Sequence, residues 1–287
     1  MLGFVVPIKS PKVSSSWESV SIIFERTARS ICQQTYPDFK VVVVCHEPPK
    51  IDFTHPSLEY ILADDLPIPE TWYHKRGDKM HKVIRGIRHA KALGCSHIML
   101  VDSDDCISNR LVEYMAGKTD SPGYFFNKGY FYNDNSRTLR LVPKRFHKIC
   151  GTSHIINSKF YDISDAELNQ LPNLVDAQSK LPKHIYDLYC THGRFVEAVQ
   201  AKGGTLEPLP FAGSIYILGN TENLSVTSPS YRQRRQRNRQ QALSVKDMLV
   251  KFRDNVLYRR PLTQSLREQF GIYDVNLPTS PLFGPSR

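Results

Sequence analysis

Two strongly apolar segments flank an amphipathic one in the first 45 residues, and this pattern constrains the fold more than any other feature. The apolar segments are LGFVVPI at residues 2–8 and KVVVVC at residues 40–45. Such valine-rich runs are typical of strands that are buried on both faces. Between residues 17 and 32, apolar side chains recur at the spacing of a helix with one buried face. Strand, helix and strand in succession predict an α/β fold with a mostly parallel sheet flanked by helices.

Further segments along the chain continue the alternation of strands and helices. The apolar positions between Asp78 and Leu93 have a helical period, and Gly94 suits the position just after a helix. Residues 133–136 have the composition of a hairpin turn. The remaining predicted elements are strands at 59–62, 97–101, 124–132, 138–142, 205–209 and 214–218, and helices at 109–115 and 183–202.

The composition is that of a folded domain. Of 287 residues, 40% are hydrophobic and 23% are charged, which separates the chain from disordered and low-complexity sequences. No apolar run approaches the roughly 20 residues that span a bilayer, and the first eight residues lack the cationic start of a signal peptide. The six cysteines form no C-x-x-C pair. We therefore expect a cytoplasmic protein with reduced thiols, several of them in the core.

Most of the net charge of +10 lies in one C-terminal stretch. Residues 230–260 contain ten Lys or Arg and two acids, so the other 256 residues carry only +2. Apolar side chains follow the arginine run 232–239 at roughly helical spacing, which predicts a basic amphipathic helix. Such a helix is typical of peripheral contact with an anionic membrane, here the inner face, or with an acidic partner. Packing of its apolar stripe on the body is the alternative. The absence of interleaved aromatic side chains argues against nucleic acid as a partner.

These differences in charge predict two regions. The first is a domain of residues 1–220, and the second is a basic helical extension of residues 221–287. The segment after Pro261 is rich in proline, so we expect it to add nothing to a core.

Three aspartates follow the fourth predicted strand directly, in the segment Asp102-Ser103-Asp104-Asp105. Ligands of open α/β sheets bind outside the carboxyl ends of the strands, which is where these side chains fall. Carboxylates placed this closely repel one another. A hard divalent cation held by one or two of them, together with phosphate oxygens and water, removes that cost. The alternative is that Asp105 or Ser108 only caps the following helix.

The segment HIMLVDSDD, preceded by a helix that begins GDKMHK, resembles the D-x-D region of nucleotide-sugar glycosyltransferases with the GT-A fold, in particular the family 2 group. The first strand with its Pro7-Ile8-Lys9 exit and the second strand VVVVCHE resemble the opening of the same fold. The resemblance covers about residues 1–220 and implies a Rossmann-like GT-A sheet. It also implies transfer of a sugar from a nucleotide diphosphate, with Mn²⁺ or Mg²⁺ as the cofactor.

The same resemblance assigns binding residues. It implies that Asp104, together with Asp102, binds the metal ion. The residues that it places around the donor are Pro7, Ile8, Lys9 and Glu47 for the base and ribose, Asp78 and Lys79 at the edge of that pocket, Asp102 and Ser103 of the D-x-D motif, and Gly151 and Thr152 of a loop beneath the sugar. The alternative for Gly151 is a simple turn between strands, and for Glu47 a solvated loop end. We expect Lys82 and Arg85, on the helix before the motif, at the solvated surface.

The resemblance leaves the general base open. In inverting members of the family an acidic residue near the start of a later helix takes the proton of the acceptor. The matching region, residues 184–210, has Thr191-His192 where the family has a Glu-Asp pair. Asp187 and His192 are therefore both candidates for the base, although five residues apart they do not share one face of an unbroken helix. His192 is alternatively a metal ligand, since neutral imidazole suits Mn²⁺, or a side chain that only packs nearby.

The function that these residues predict is metal-dependent transfer of a sugar to an acceptor hydroxyl, on a cell-envelope or lipid-linked glycan. Two alternatives stay open. A nucleotidyltransferase also holds a nucleotide and a metal at strand ends, but no Gly-rich phosphate loop follows the first strand here. A protein that binds nucleic acid or an acidic surface through its basic tail, with the aspartates as helix caps, is the alternative from another class.

Overall fold

The computed structural model describes residues 1–175, 180–219, 222 and 256–275, and these residues form two sheets. The strands are β1 (Leu2–Pro7), β2 (Phe39–Cys45), β3 (Leu58–Leu62), β4 (His97–Leu100), β5 (Cys106–Ile107), β6 (Gly123–Phe125), β7 (Gly129–Asn133), β8 (Thr138–Val142), β9 (His154–Asn157), β10 (Glu207–Pro208), β11 (Ser214–Leu218) and β12 (Arg259–Pro261). The larger sheet has the order β10-β6-β9-β4-β1-β2-β3, and the smaller has the order β12-β8-β7-β11-β5.

The α-helices lie between these strands in the chain, except the last, which follows β12. They are α1 (Trp17–Cys32), α2 (Trp72–Ala92), α3 (Leu111–Met115), α4 (Asp165–Gln170), α5 (Lys183–Ile185), α6 (Phe195–Ala201) and α7 (Gln264–Phe270). The first begins where Ser16 accepts a hydrogen bond from the Ser19 backbone N–H at 3.1 Å. The predicted pairing of residues 2–8 and 40–45 through a helix is confirmed.

The larger sheet is mostly parallel and carries helices on both faces. β2 pairs with β1 and β3, and β1 with β4, all in parallel register, while β9 runs antiparallel between β4 and β6. Side chains of β1 alternate between the two faces, because Phe4 packs in the cluster that contains α1, and Val5 in the one that contains α2. The predicted α/β class is therefore confirmed.

Gly86 allows α2 to lie close to the sheet. A Cβ atom at this position would lie 2.4 Å from Cγ1 of Val5 and 3.1 Å from Cγ2 of Val44. The helix therefore approaches β1 and β2 more closely than an alanine permits. This approach places the first turns of α2 beside the carboxyl ends of those strands.

Two predicted helix boundaries are wrong. α2 begins at Trp72 and not at Asp78, because Thr71 caps it by accepting a hydrogen bond from the His74 N–H at 3.1 Å. The helix predicted for 183–202 is broken. A π-helical turn, Tyr186–Cys190, follows α5, and Thr191 then adopts an extended conformation before the chain turns back into helix. The break places His192 at the start of a short 3₁₀ helix, His192–Arg194.

The single strand predicted for 124–132 is two strands in different sheets. β6 pairs with β9 in the larger sheet, and β7 pairs with β8 and β11 in the smaller one. The chain changes sheets at Phe126, whose N–H donates to the Ser153 carbonyl at 2.8 Å and whose ring is fully buried. The hairpin turn at 133–136 is confirmed, with Asn135 in the left-handed region at φ 63°.

The segment after Pro261 contributes to a core, so our expectation for it is wrong. Phe270, Ile272 and Val275 are buried, and the Phe270 carbonyl accepts a hydrogen bond from Ser30 at 2.7 Å. β12 also pairs with β8 in antiparallel register. Pro261 ends the edge strand β12, and the sequence of α7 contains no proline.

Other predictions fall partly outside the described residues. The boundary at residue 220 and the basic helix expected within 230–260 lie largely there, so the division into two regions stays a prediction. All six cysteines are described as free thiols, five of them buried, as expected. In the described part of the chain, no helix combines the length and the hydropathy needed to cross a membrane.

Candidate active site

The carboxyl ends of β1 and β4 meet at one edge of the larger sheet and open into a cavity of about 440 Å³. The position follows from the topology, since parallel strands end at the same edge and side chains after each strand converge there. The predicted site residues that line this cavity are Pro7, Ile8, Lys9, Asp78, Lys79, Asp102, Ser103, Asp104, Gly151 and His192. The structure thus brings together side chains that are up to 185 positions apart in the sequence.

Asp102 is held by contacts from three directions. The Lys79 ammonium pairs with its carboxylate, and the Asp102 N–H donates to Thr152 Oγ1 at 2.9 Å. A Cβ atom on Gly151 would lie 2.6 Å from Asp102 Oδ2. Burial opposes ionisation, but Lys79 and then His192 outweigh it and hold the pKa of Asp102 below its ordinary value. Asp102 is therefore an ionised, oriented oxygen donor at the cavity.

Asp105 points away from the cavity into the protein. It is fully buried, its Oδ1 accepts the Ile217 N–H at 3.2 Å, and Cys150 Sγ donates to its Oδ2 at 3.4 Å. Burial, followed by the charges of Asp104 and Asp102, raises the pKa of Asp105 well above its ordinary value. Asp105 thus joins the end of β4 to β11.

The hypothesis that these residues serve only as helix caps is wrong. Helix α3 begins at Leu111, its cap residue is Arg110, and no side chain forms the capping hydrogen bond. Asp105 contacts β11 instead, and the Ser108 hydroxyl accepts from the Arg110 N–H at 3.3 Å, before the helix starts. Of the three aspartates after β4, Asp102 and Asp104 line the cavity.

A buried ion pair forms part of the cavity wall. Lys82 donates to Asp78 Oδ2 and to the Ile8 carbonyl, both at 2.8 Å, and is almost fully buried, so the expectation of a solvated Lys82 is wrong. Burial lowers the pKa of Lys82, and Asp78 opposes that shift. His46 Nε2 lies 3.8 Å from Asp78 Oδ1. Asp78 therefore fixes Lys82 against the end of β1.

Glu47 does not lie in the cavity. It is exposed, in the bend after β2, while the preceding His46 turns inward and contacts the Leu66 carbonyl at 3.2 Å. The predicted contact of Glu47 with the donor is not supported by this position. Thr152 is also outside the cavity lining, because it is fully buried and acts on the site through the Asp102 N–H.

His192 lines the cavity and Asp187 does not. Burial lowers the pKa of His192, and the charge of Asp102 opposes that shift. The turn around it is held by Lys148, which donates to the Gly193 carbonyl at 2.8 Å and to Glu197 at 2.7 Å. Asp187 is buried in the π-helical turn, where Lys183 pairs with it. Of the two candidates for the base, only His192 is placed at the cavity.

Glu222 also lines the cavity, and no local sequence pattern marks it. Its carboxylate pairs with Lys9, and it accepts hydrogen bonds from the Ser15 and Ser16 backbone N–H groups, each at 3.1 Å. A residue beyond β11 thus closes over the exit of β1 and the start of α1. Nothing in the local pattern around Glu222 could have paired it with Lys9, 213 positions away.

The rim of the cavity beside α2 holds a guanidinium fixed between aromatic rings. Arg76 lies 5.1 Å from the ring centroid of Trp72 and 5.5 Å from that of Tyr186, and it donates to the Cys190 carbonyl at 3.4 Å. Lys75 lies beside it on the cavity wall. Both residues precede Asp78, the predicted start of the helix, so the sequence pattern did not indicate them.

The donor set at the cavity suits a hard divalent cation. Within the residues that the structure describes, no group of three or more His, Cys, Asp or Glu side chains is arranged to hold a metal ion by itself. Asp102 and Asp104 nevertheless both line this cavity, and after burial their charges contribute to the raised pKa of the neighbouring Asp105. Mg²⁺ and Mn²⁺ commonly take one or two carboxylates and complete their coordination with phosphate oxygens and water. The residues therefore fit such an ion.

Comparison with known proteins gives distant structural similarities. No protein-family model and no curated protein matches the sequence. A solved structure of S. aureus TarS (1–349) is 14% identical, with a TM-score of 0.43, and covers 75% of this chain and 60% of that chain. The structure of the same fragment in complex with UDP-GlcNAc is also 14% identical, with a TM-score of 0.43. The match covers 81% of this chain and 63% of that chain. This chain thus spans less than two thirds of either TarS chain.

A second protein gives a weaker similarity. The 2-C-methyl-D-erythritol 4-phosphate cytidylyltransferase (IspD) of Francisella tularensis is 11% identical, with a TM-score of 0.36, and covers 82% of this chain and 99% of that chain. Values this low assign neither a family nor a function, so the function is inferred from the geometry of the cavity.

Proposed function

We propose that this protein is a metal-dependent glycosyltransferase that moves a sugar from a nucleotide diphosphate donor to an acceptor hydroxyl. The observation that carries the proposal is the pair of carboxylates at the end of β4, Asp102 and Asp104, which line a cavity of about 440 Å³ together with Lys9 and Lys79. Anionic and cationic side chains at the carboxyl edge of a parallel sheet are what a diphosphate with its bound cation requires.

The donor would lie against the end of β1. Pro7 and Ile8 form an apolar wall there, and Lys82 fixes the Ile8 carbonyl while Asp78 neutralises Lys82. Gly151 leaves room beside Asp102 because it has no side chain. We assign these residues to the nucleoside and sugar. We assign Lys9 and Lys79 to the diphosphate, whose negative charge is opposite to theirs.

The reaction forms a bond between the acceptor oxygen and the anomeric carbon and breaks the bond from that carbon to the diphosphate oxygen. The leaving nucleoside diphosphate takes the bonding electrons, and the acceptor proton goes to a base. Asp102 and Asp104 would hold Mn²⁺ or Mg²⁺, which supplies positive charge to the leaving diphosphate. Lys9 and Lys79 stabilise the same growing charge from the protein side.

We assign the base to His192. Its imidazole lines the cavity, and burial lowers its pKa, so the ring is mostly neutral at pH 7 and can accept a proton. A His192→Gln variant should lose about 10² to 10⁴ in transfer rate with unchanged donor binding. An Asp187→Asn variant is the matched control, and loss of rate in that variant alone would transfer the role to Asp187. If His192→Gln instead weakens Mn²⁺ binding, the histidine is a metal ligand.

The test of the function is calorimetric titration of UDP, GDP, CDP and ADP with and without Mn²⁺. We expect one of them to bind in a metal-dependent way. Asp104→Ala should abolish that dependence, Asp102→Asn should weaken it, and Asp64→Ala, an exposed carboxylate outside the cavity, should leave it intact. Equal binding by wild type and Asp104→Ala, with the metal still required, would exclude this assignment.

The products distinguish glycosyl transfer from nucleotidyl transfer. A glycosyltransferase releases a nucleoside diphosphate from a nucleotide sugar, and a nucleotidyltransferase releases pyrophosphate from a nucleoside triphosphate. The structure continues β1 into a short turn at Pro11–Val13 without a run of glycines, which favours the former. Pyrophosphate as the product would support the latter.

We further propose that residues 230–260 hold the enzyme at an anionic membrane surface, near a lipid-linked or cell-envelope acceptor. The support is their charge of +8 in the sequence. Replacement of the five arginines at 232–239 by glutamine should strongly reduce sedimentation with anionic vesicles at low salt. Unchanged sedimentation would remove the membrane from the proposal.

A further inference from the structure

One row of side chains crosses the smaller sheet from the cavity to its outer edge. Tyr216 on β11 is in register with Phe131 on β7, Phe131 is in register with Arg140 on β8, and Arg140 is in register with Arg259 on β12. Residues in register on neighbouring strands point to the same face of a sheet. Tyr216 lines the cavity, so the row begins at the candidate active site.

The opposite face of this sheet is the buried one. Tyr132, Leu139 and Ile217 alternate with members of the row along their strands and pack with Phe270 in one core cluster. Phe131 and Tyr216 are half-buried, whereas Arg140 and Arg259 are exposed. The row therefore lies on the less buried face, where its aromatic end packs against the main core cluster and its cationic end is exposed.

Contacts along the row hold its inner part in place. The rings of Phe131 and Tyr216 lie 5.7 Å apart at 57°, and the Arg140 guanidinium lies 4.9 Å from the Phe131 centroid. Phe131 also lies 6.3 Å from Phe146, which is fully buried. The aromatic part is thus anchored to the core, which limits the entropy that a ligand would have to offset on binding.

The two arginines at the outer end of the row repel each other. Arg140 and Arg259 are directly opposite on neighbouring strands, an arrangement in which like charges destabilise a sheet. Residues 122–161, which include β7 and β8, have seven Lys or Arg and one acid, Asp134, which pairs with Arg26. An anionic ligand placed between the two guanidiniums would remove this repulsion.

We propose that this row binds an extended acceptor glycan that carries phosphate or carboxylate groups, with its sugar rings on Tyr216 and Phe131 and its anionic groups on Arg140 and Arg259. The proposal rests on the proposed function, because the end of the glycan that lies at the cavity is the end that would accept the sugar. Aromatic faces bind the apolar faces of sugars, and guanidinium forks match phosphate and carboxylate geometry. This order, aromatic near the cavity and cationic outside it, suits a glycan whose reacting sugar lies at the cavity and whose anionic groups lie beyond it.

The test compares binding of three saccharide probes to the full chain at low salt: oligogalacturonate, a phosphorylated mannan oligosaccharide and neutral dextran of similar length. The row variant is Arg140→Gln/Arg259→Gln. Its matched control is Lys50→Gln/Lys180→Gln, which removes the same charge at two exposed positions outside the row and the cavity. Both variants change exposed side chains, and equal melting temperatures check that they fold.

We expect wild type to prefer a charged probe to dextran and the row variant to bind that probe about tenfold more weakly, a factor equivalent to about 1.4 kcal/mol. The control variant should bind as wild type does. The preferred probe then tells phosphate from carboxylate. Equal binding by the row and control variants would overturn the proposal.

Two further measurements separate this proposal from others. A DNA duplex or anionic vesicles bound more tightly than any saccharide, with the same loss in the row variant, would assign the row to that partner and overturn the glycan proposal. Titration with nucleoside diphosphate and Mn²⁺ is run in parallel. Its failure in wild type removes the proposed function, whereas normal nucleotide binding without a preference for charged saccharides removes only the assignment of the row.

Discussion

Replacement of Gly151 by alanine tests the link between the Gly-containing loop and Asp102. Gly151 has no left-handed backbone conformation that would exclude alanine, so the added methyl group is the only perturbation. Its Cβ would lie 2.6 Å from Asp102 Oδ2. Ordinary van der Waals contacts begin at 3.4 Å, so the carboxylate has to move by about 0.8 Å.

This displacement should weaken binding and leave folding nearly intact. The clash is with the end of a side chain, and Asp102 is partly exposed, so it can move without opening the core. A shift of about 1 Å at a reacting group can cost on the order of 10²-fold in rate, and we expect a loss of about 10- to 100-fold in metal-dependent nucleotide binding or transfer. Calorimetry measures the binding, and urea denaturation measures the stability.

The matched control is Gly193→Ala, in the turn that holds His192. There the nearest atom to a new Cβ is Thr191 Oγ1 at 4.0 Å, so no atom has to move. We expect this variant to bind nucleotide as wild type does. Wild-type binding by Gly151→Ala, at unchanged stability, would refute the reasoning, since it would mean that the position of Asp102 does not matter for the ligand.

Three predictions concern stability. Asp78→Ala leaves the Lys82 ammonium buried without its partner and should cost about 3 to 5 kcal/mol in urea denaturation, and the added change Lys82→Met should recover most of it; no recovery would refute the ion-pair account. Phe270→Ala should lower the free energy of unfolding by about 3 to 5 kcal/mol, because this ring is fully buried against the smaller sheet. A loss below about 1 kcal/mol would contradict the conclusion that this segment belongs to the core. Burial lowers the pKa of His154 well below its usual range, so the unfolded chain binds its proton first. Unfolding free energy should therefore fall as pH drops from about 6.5 towards 5, by up to about 1.4 kcal/mol per unit for this histidine, and His154→Gln should reduce that slope; an unchanged slope would contradict the assignment.

The sequence alone determined the central layers of the protein. The apolar runs at 2–8, 40–45 and 97–101 are hydrophobic at nearly every position, and only strands covered on both faces bury such runs. Three strands of this kind separated by amphipathic helices leave a parallel sheet as the simplest arrangement. The place of the cavity followed, because Lys9 and Asp102 each come directly after a strand.

Tertiary contacts determined the positions of residues that no local sequence pattern identifies. The start of α2 depends on a cap at Thr71, and the break at Thr191 interrupts a segment whose apolar spacing is helical throughout. Glu222 and Lys9 meet across 213 positions. Local patterns contain no information about such contacts, because the two side chains come close only after the sheet has formed.

The row of side chains that leaves the cavity is the clearest case of contacts that local sequence patterns do not encode. Phe131 and Arg140 belong to strands that were foreseen in part, but which residues face one another depends on register. A shift of one residue turns every side chain to the other face of the sheet. Here the register is fixed by burial of Tyr132, Leu139 and Ile217 against Phe270, from a segment that the sequence suggested lay outside the core. The alignment of Tyr216 with Arg259 across four strands is therefore a property of the packed molecule alone.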